Sequence, residues 1–181
     1  MLMLLACSAT APWASVDSDR DAPVAIAKRL RAYFVETSES RSGGGDALLV
    51  LIPDEVECSD VVVAAQQALD ADNDLFGWEG LAFHLSFETG DGATDLTWEA
   101  LYWGAEATSV IGQRSLSAWL LTGGSLMSLD GGWLELTEHA NELVAGAFDV
   151  SWYAGEFAAE HCGTALPVEE EPDDTGADTG A

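Results

Sequence analysis

Basic residues are what this sequence most conspicuously lacks. Six Lys and Arg stand against 32 Asp and Glu, a net charge of −26. Five of the six bases (Arg20, Lys28, Arg29, Arg31 and Arg41) precede residue 42, after which Arg114 stands alone against 27 acids. Binding to a phosphate backbone depends on Lys and Arg displacing condensed counterions, so direct nucleic-acid binding is excluded. The same field favours cationic partners, divalent ions and solubility. Long apolar runs are missing too. No segment reaches the roughly 18 apolar residues of a spanning helix, which leaves a lipid as the means of membrane attachment. The sequence also holds no G-x-S-x-G elbow, no H-E-x-x-H, no C-x-x-C, no phosphate-binding G-x-x-x-x-G-K and no G-x-G-x-x-G after a strand. Local signatures of catalysis or of a nucleotide cofactor are therefore absent.

What the chain does have is material for a core. Of 181 residues, 48% are apolar, with seven Trp and six Phe, enough for one folded domain. Apolar residues alternate with polar ones over several short stretches. Leu81, Phe83, Leu85 and Phe87 share one strand face, with His84, Ser86 and Glu88 on the other. The same period places strands at Lys28–Thr37 (where Ile26, Leu30, Tyr33 and Phe34 also fit a helical face), Leu96–Trp103, Ser115–Leu121, Ser125–Leu129, Gly132–Thr137, Leu143–Tyr153 and Gly155–Cys162, and an apolar run ended by Pro53 adds Ala47–Ile52. Turns fall at Gly90-Asp91-Gly92, Gly123-Gly124, Asp130-Gly131-Gly132, Ala140-Asn141-Glu142 and Ala154-Gly155. One breaker-free segment predicts a helix over about 60–71, with Ser59 as N-cap and Asp60 in the first turn. The expected fold is mainly β: an antiparallel sandwich or barrel with one short helix.

Several residues invite a chemical reading. Asp70, Asp72 and Asp74 place carboxylates at alternate positions, as oxygen ligation of Ca²⁺ requires, but Leu75 and Leu81 stand where an EF-hand needs Gly and Glu. A looser Ca²⁺ site is what remains. Asp-Thr-Gly, the triplet of aspartic proteases, occurs twice, at Asp174 and Asp178. Both lie in one short acidic segment, whereas that chemistry needs two carboxylates from separate rigid lobes sharing a proton. Trp98 and Tyr102 fall on one face of a strand, with Leu101 and Trp103 on the other, and such a pair offers a platform for stacking on sugar rings. Filling a core is the commoner use of such rings. His84 alternates with core residues and faces outward, His139 sits in a turn beside Glu138 and Glu142, and His161 adjoins Cys162. None of the three has a partner that sequence spacing reveals.

Leu4-Leu5-Ala6-Cys7, a short apolar run ending in a small residue before Cys, resembles the lipobox of bacterial lipoproteins. The resemblance implies that Cys7 carries lipid and that Ser8 after it directs the protein to the outer membrane, facing periplasm or cell surface. Only six residues precede Cys7 and none is basic, so the true start of the export signal is expected upstream. The near-repeat Asp174-Thr175-Gly176-Ala177-Asp178-Thr179-Gly180 is similar to acidic segments of exported lipoproteins of the myxobacterial type. On this reading the three cysteines divide into one for lipid and two, Cys58 and Cys162, for a disulfide that an oxidising compartment would preserve. Closing that loop of 104 residues would stabilise the fold by about 4–5 kcal/mol through chain entropy. Residues 1–24 are then signal and tether, 25–163 the β domain and 164–181 a disordered acidic tail. The function expected is that of a non-enzymatic cell-envelope lipoprotein, a structural or interaction module for a cationic or glycan partner. The alternatives are a glycan- or Ca²⁺-dependent binding protein and a hydrolase.

Overall fold

The computed structural model describes residues 11–37, 44–69, 77–88, 98–104 and 114–165. Among them run β1 (Trp13–Ser18), β2 (Arg29–Glu36), β3 (Gly44–Ile52), α1 (Cys58–Leu69), β4 (Glu79–Glu88), β5 (Leu101–Gly104), β6 (Arg114–Thr122), β7 (Leu126–Leu129), β8 (Trp133–His139), β9 (Leu143–Val150) and β10 (Tyr153–Thr164). The sheet closes on itself. In the order β4-β3-β2-β1-β10-β9-β8-β5-β6 each strand pairs with the next, and β6 pairs back to β4 to give a nine-strand barrel. β7 folds back along the other edge of β6. Pairings are antiparallel except β5 with β6 and the end of β10 with β2. The mainly β expectation holds, and the barrel is the form it takes.

Period-2 alternation sorts side chains to the two faces of this wall. Leu30, Ala32 and Phe34 of β2 point inward, as do Ala47, Leu49 and Leu51 of β3 and Leu81, Phe83, Leu85 and Phe87 of β4. β9 and β10 add Phe148, Val150, Tyr153 and Phe157. Rings facing each other across the barrel fill it, as Phe83 and Phe148 do with centroids 5.0 Å apart. The outer face of β2 and β3 is apolar as well. Tyr33, Val35, Leu48, Val50 and Ile52 pack under Val61 and Ala65 of α1 in a second cluster. Burial on both faces explains why residues 47–52 read as an unbroken apolar run rather than an alternating one.

Several boundaries differ from the sequence reading. Residues 13–18, expected to be tether, form β1: Ala14 and Val16 are buried, and Trp13–Ser18 pairs residue for residue with Ala158–Tyr153 of β10. Two small apolar side chains among Ser and Asp carry little signal of their own, and the pairing partner lies far off in sequence. The turn expected at Ala154-Gly155 lies instead at Ser151-Trp152, where Ser151 has a φ of 49°, so β9 ends at Val150 and β10 begins at Tyr153. The barrel also runs on to Thr164, and Ala165 just beyond it is fully buried. α1 runs from Cys58 to Leu69, so Ser59, expected as its N-cap, is instead its second residue, and the Glu57 carbonyl accepts from Asp60 N at 2.9 Å. Asp70, Asp72 and Asp74 lie outside the described residues, as do Cys7 and residues 166–181.

Candidate metal centre

One mouth of the barrel is closed by charged and aromatic side chains instead of aliphatic ones. Glu36 ends β2 in the inward register of Leu30, Ala32 and Phe34. His161 occupies the inward register of β10 after Phe157 and Ala159, and pairs with Phe34 of the parallel β2. His139 arrives by a different device. On β8 the inward positions are Leu134 and Leu136, so strict alternation would aim Glu138 inward and His139 out. The ladder to β9 instead shifts register between Leu136 and Glu138. Glu138 then faces Ala145, and His139 faces the buried Val144. A β-bulge at Thr137 has re-aimed one side chain, and that side chain completes the cluster.

The result is tight. Glu36 Oε1 lies 3.2 Å from His139 Nε2 and 3.4 Å from His161 Nε2. One ligand-capable atom from each of the three residues falls within 4.8 Å of the others. The side chains of Glu36, His139 and His161 are only 22, 19 and 11% exposed. Among the described residues neither Nε2 makes a hydrogen bond of good geometry, although each lies close to Glu36. His161 Nδ1 lies 3.2 Å from the Ala140 carbonyl oxygen. A carbonyl only accepts, so Nδ1 carries the proton, and the lone pair of the neutral ring sits on Nε2, facing the carboxylate. Two acceptors face each other there, and only a proton or a metal cation reconciles them.

Aromatic rings floor this mouth. The Phe34 ring centroid is 5.7 Å from those of Trp98, His139 and His161. Trp98 stands edge-on to Phe87 at 4.9 Å and tilts over His139 at 5.7 Å. Gly45 makes that packing fit, since a Cβ there would lie 2.7 Å from Phe87 and 3.0 Å from Trp98. Arg114 spans the rings of Phe87 and Tyr102, 5.1 and 5.4 Å from their centroids.

Titration follows from these contacts. The close polar contact with Glu36 raises the His161 pKa above its ordinary value, outweighing desolvation. The same contact with His161 lowers the Glu36 carboxyl. For His139 desolvation dominates and lowers the ring. Glu36 thus favours the protonated form of His161, while burial disfavours the protonated form of His139.

The residues singled out from sequence fare unequally. Cys58 and Cys162 are joined, with Cα atoms 5.1 Å apart. The Trp98–Tyr102 platform is corrected. Trp98 precedes β5 and packs onto the core, while Tyr102 is fully buried, donating from its hydroxyl to the Trp98 carbonyl at 3.0 Å. Burial pushes the Tyr102 phenol up to about 12, and its ring offers no face to a sugar. The exposed ring on this strand is Trp103, at 56%. His84 lies on the outer face with Asp46 at 3.4 Å. Comparison of the chain with protein-family models, curated proteins and solved structures finds no match.

Proposed function

We propose that this chain is an exported, lipid-anchored β-barrel of the cell envelope that binds a divalent transition-metal ion through Glu36, His139 and His161 and catalyses no reaction. The observation that carries the metal reading is the pair of distances from Glu36 Oε1 to the two imidazole nitrogens, 3.2 and 3.4 Å. Ligand bonds of about 2.0–2.1 Å in a tetrahedral zinc site separate neighbouring ligand atoms by ~3.3 Å. Two edges of the tetrahedron are thus already in place. The second requirement, a histidine whose far nitrogen is tied to a carbonyl, is met at His161. Two imidazoles and a carboxylate select first-row ions such as Zn²⁺ or Fe²⁺ over Ca²⁺ and Mg²⁺, which prefer all-oxygen sites. The net charge of −26 raises the local concentration of any cation and repels nucleic acid.

The envelope address rests on the lipobox-like Leu4–Cys7 and is supported by a disulfide, which reducing compartments disfavour. Labelled palmitate should enter the protein in its own cell and fail to enter Cys7→Ala. For the metal, Zn²⁺ at a hundredfold excess over Kd should add about 2.7 kcal/mol, raising the thermal midpoint by roughly 5–10 °C. No rise, or the same rise in Glu36→Gln, defeats the reading. A second reading, binding of a neutral glycan, is favoured by the outward cross-strand pair Trp103 and Trp133. Quenching of Trp fluorescence by a neutral oligosaccharide, lost in Trp103→Ala, would support it, and an unchanged spectrum would reject it.

A further inference from the structure

We infer that the Cys58–Cys162 disulfide gates the metal centre, so that its reduction releases the ion. This inference rests on the metal-binding reading above. Adjacent residues of a strand face opposite ways, so His161 enters the barrel and Cys162 faces outward to α1. The metal ligand and the disulfide sulfur are therefore neighbours on one stretch of backbone.

That stretch has few other restraints. Its ladder to β9 ends at Glu160 opposite Leu143, followed by a single bond from His161 N to Glu142 O at 3.3 Å. Its parallel pairing with β2 breaks register between His161 and Thr164, where Gly163 adopts a φ of +87°. Ala165 N donates to the Glu36 carbonyl at 2.7 Å, so the same short segment also touches the strand that supplies the carboxylate. α1 lies against both β2 and β10. Its first residue, Cys58, is bonded to Cys162, so the helix brackets from outside the two strands that bring Glu36 and His161 together. His139 comes from β8 and is independent of this bracket. The disulfide thus fastens α1 to the strand that supplies His161, and α1 packs against the strand that supplies Glu36.

A metal site tolerates displacement of its ligands by only about 0.5 Å. In reduction, a thiolate of a reducing dithiol attacks one sulfur, the S–S bond breaks, and the second thiolate resolves the mixed disulfide. Cys58 and Cys162 each gain a proton and one electron, and the dithiol leaves as its cyclic disulfide. The end of β10 is then held to β2 by its irregular parallel ladder and the Ala165–Glu36 bond, a weaker tether that lets His161 shift. By linkage, the factor by which reduction weakens metal binding is also the factor by which metal opposes reduction.

The test compares Zn²⁺ affinity, by competition with a chromophoric chelator, in the oxidised protein and in Cys58→Ser/Cys162→Ser. Replacing supporting groups around a metal weakens binding about 10–100-fold, and a loss of that size is expected. Equal affinities overturn the gate and leave the metal reading standing. Oxidised protein that takes up no Zn²⁺ overturns both. Should the double variant fail to fold by near-ultraviolet circular dichroism, the wild type decides alone. After reduction by a phosphine, used so that added thiols do not compete for the metal, the wild type should bind Zn²⁺ about 10–100-fold more weakly than when oxidised. Equal affinities of the oxidised and reduced wild type overturn the gate.

Discussion

The two mouths of this barrel are built from opposite materials. At one end Glu36, His139, His161 and Arg114 gather over Phe34, Phe87 and Trp98. At the other, Leu30, Leu120 and Leu121 meet the segment Val24–Ala27 around an open, largely aliphatic cavity of about 260 Å³. There Tyr153 holds the segment to the wall, its hydroxyl donating to the Val24 carbonyl at 2.8 Å. Stability needs only the second kind of closure, since buried ionisable groups cost free energy unless paired. The charged mouth is a departure from the rule that the rest of the interior obeys, and such departures mark functional sites.

The largest effect expected comes from the floor of the charged mouth. Phe34 is fully buried and contacts Trp98 and both histidines. Phe34→Ala should cost about 3–5 kcal/mol and should also abolish the rise in midpoint that Zn²⁺ gives. Leu120→Ala, fully buried at the opposite mouth, should cost about 2–4 kcal/mol yet keep the zinc shift intact. Calorimetric melts with and without Zn²⁺ check both. If Leu120→Ala removes the zinc shift too, the two mouths are not separable.

A smaller effect, distinguished by its sign, comes from titration of the protein held in chelator. His161 has a raised folded pKa, so its contribution to stability is complete below its ordinary value of 6.5 and is lost as pH rises through the folded value. Glu36 has a lowered one, so its contribution is present above its ordinary 4.5 and is lost as pH falls through the folded value. The pair supports the fold most between those two ordinary values. His139, lowered by burial, acts the other way below 6.5. Glu36→Gln should therefore lose more stability at about pH 5.5 than at about pH 8. Denaturant midpoints at the two pH values measure this, and an equal loss at both removes the charged pair from the account.

Alternation made most of the wall legible in sequence, because Leu81, Phe83, Leu85 and Phe87 can bury a face in only one way. The same rule carried part of the site. Leu30, Ala32 and Phe34 lead to Glu36, and Phe157 and Ala159 lead to His161, so an ionisable residue at an inward register was a signal present in each strand. His139 was hidden for a physical reason. The bulge at Thr137 reverses parity, and nothing in Leu136-Thr137-Glu138-His139 announces that the extra residue sits there. Trp98 and Tyr102 misled because an i, i+4 pair shares a strand face only if the strand runs through both, and β5 begins at Leu101. Pairing across the sheet, which joins β1 to β10 and β2 to β10, depends on contacts that a single sequence does not encode locally.

The smallest effect belongs to the third histidine, and it sharpens the contrast between inside and outside. His84 also sits beside a carboxylate, with Nε2 3.4 Å from Asp46 Oδ1, but the side chains are 35 and 41% exposed. Water screens such a pair, and exposed ion pairs contribute about 0–1 kcal/mol. His84→Ala should therefore change stability by no more than about 0.5 kcal/mol and leave Zn²⁺ affinity untouched. His139→Ala should remove that affinity, although each change deletes one imidazole next to one acid. The two environments differ in what surrounds the pair: solvent at His84, and a floor of Phe34 and Trp98 at His139. A His84→Ala protein that binds zinc several-fold more weakly would place the ion on the outer wall and leave Glu36, His139 and His161 as a closure of the barrel alone.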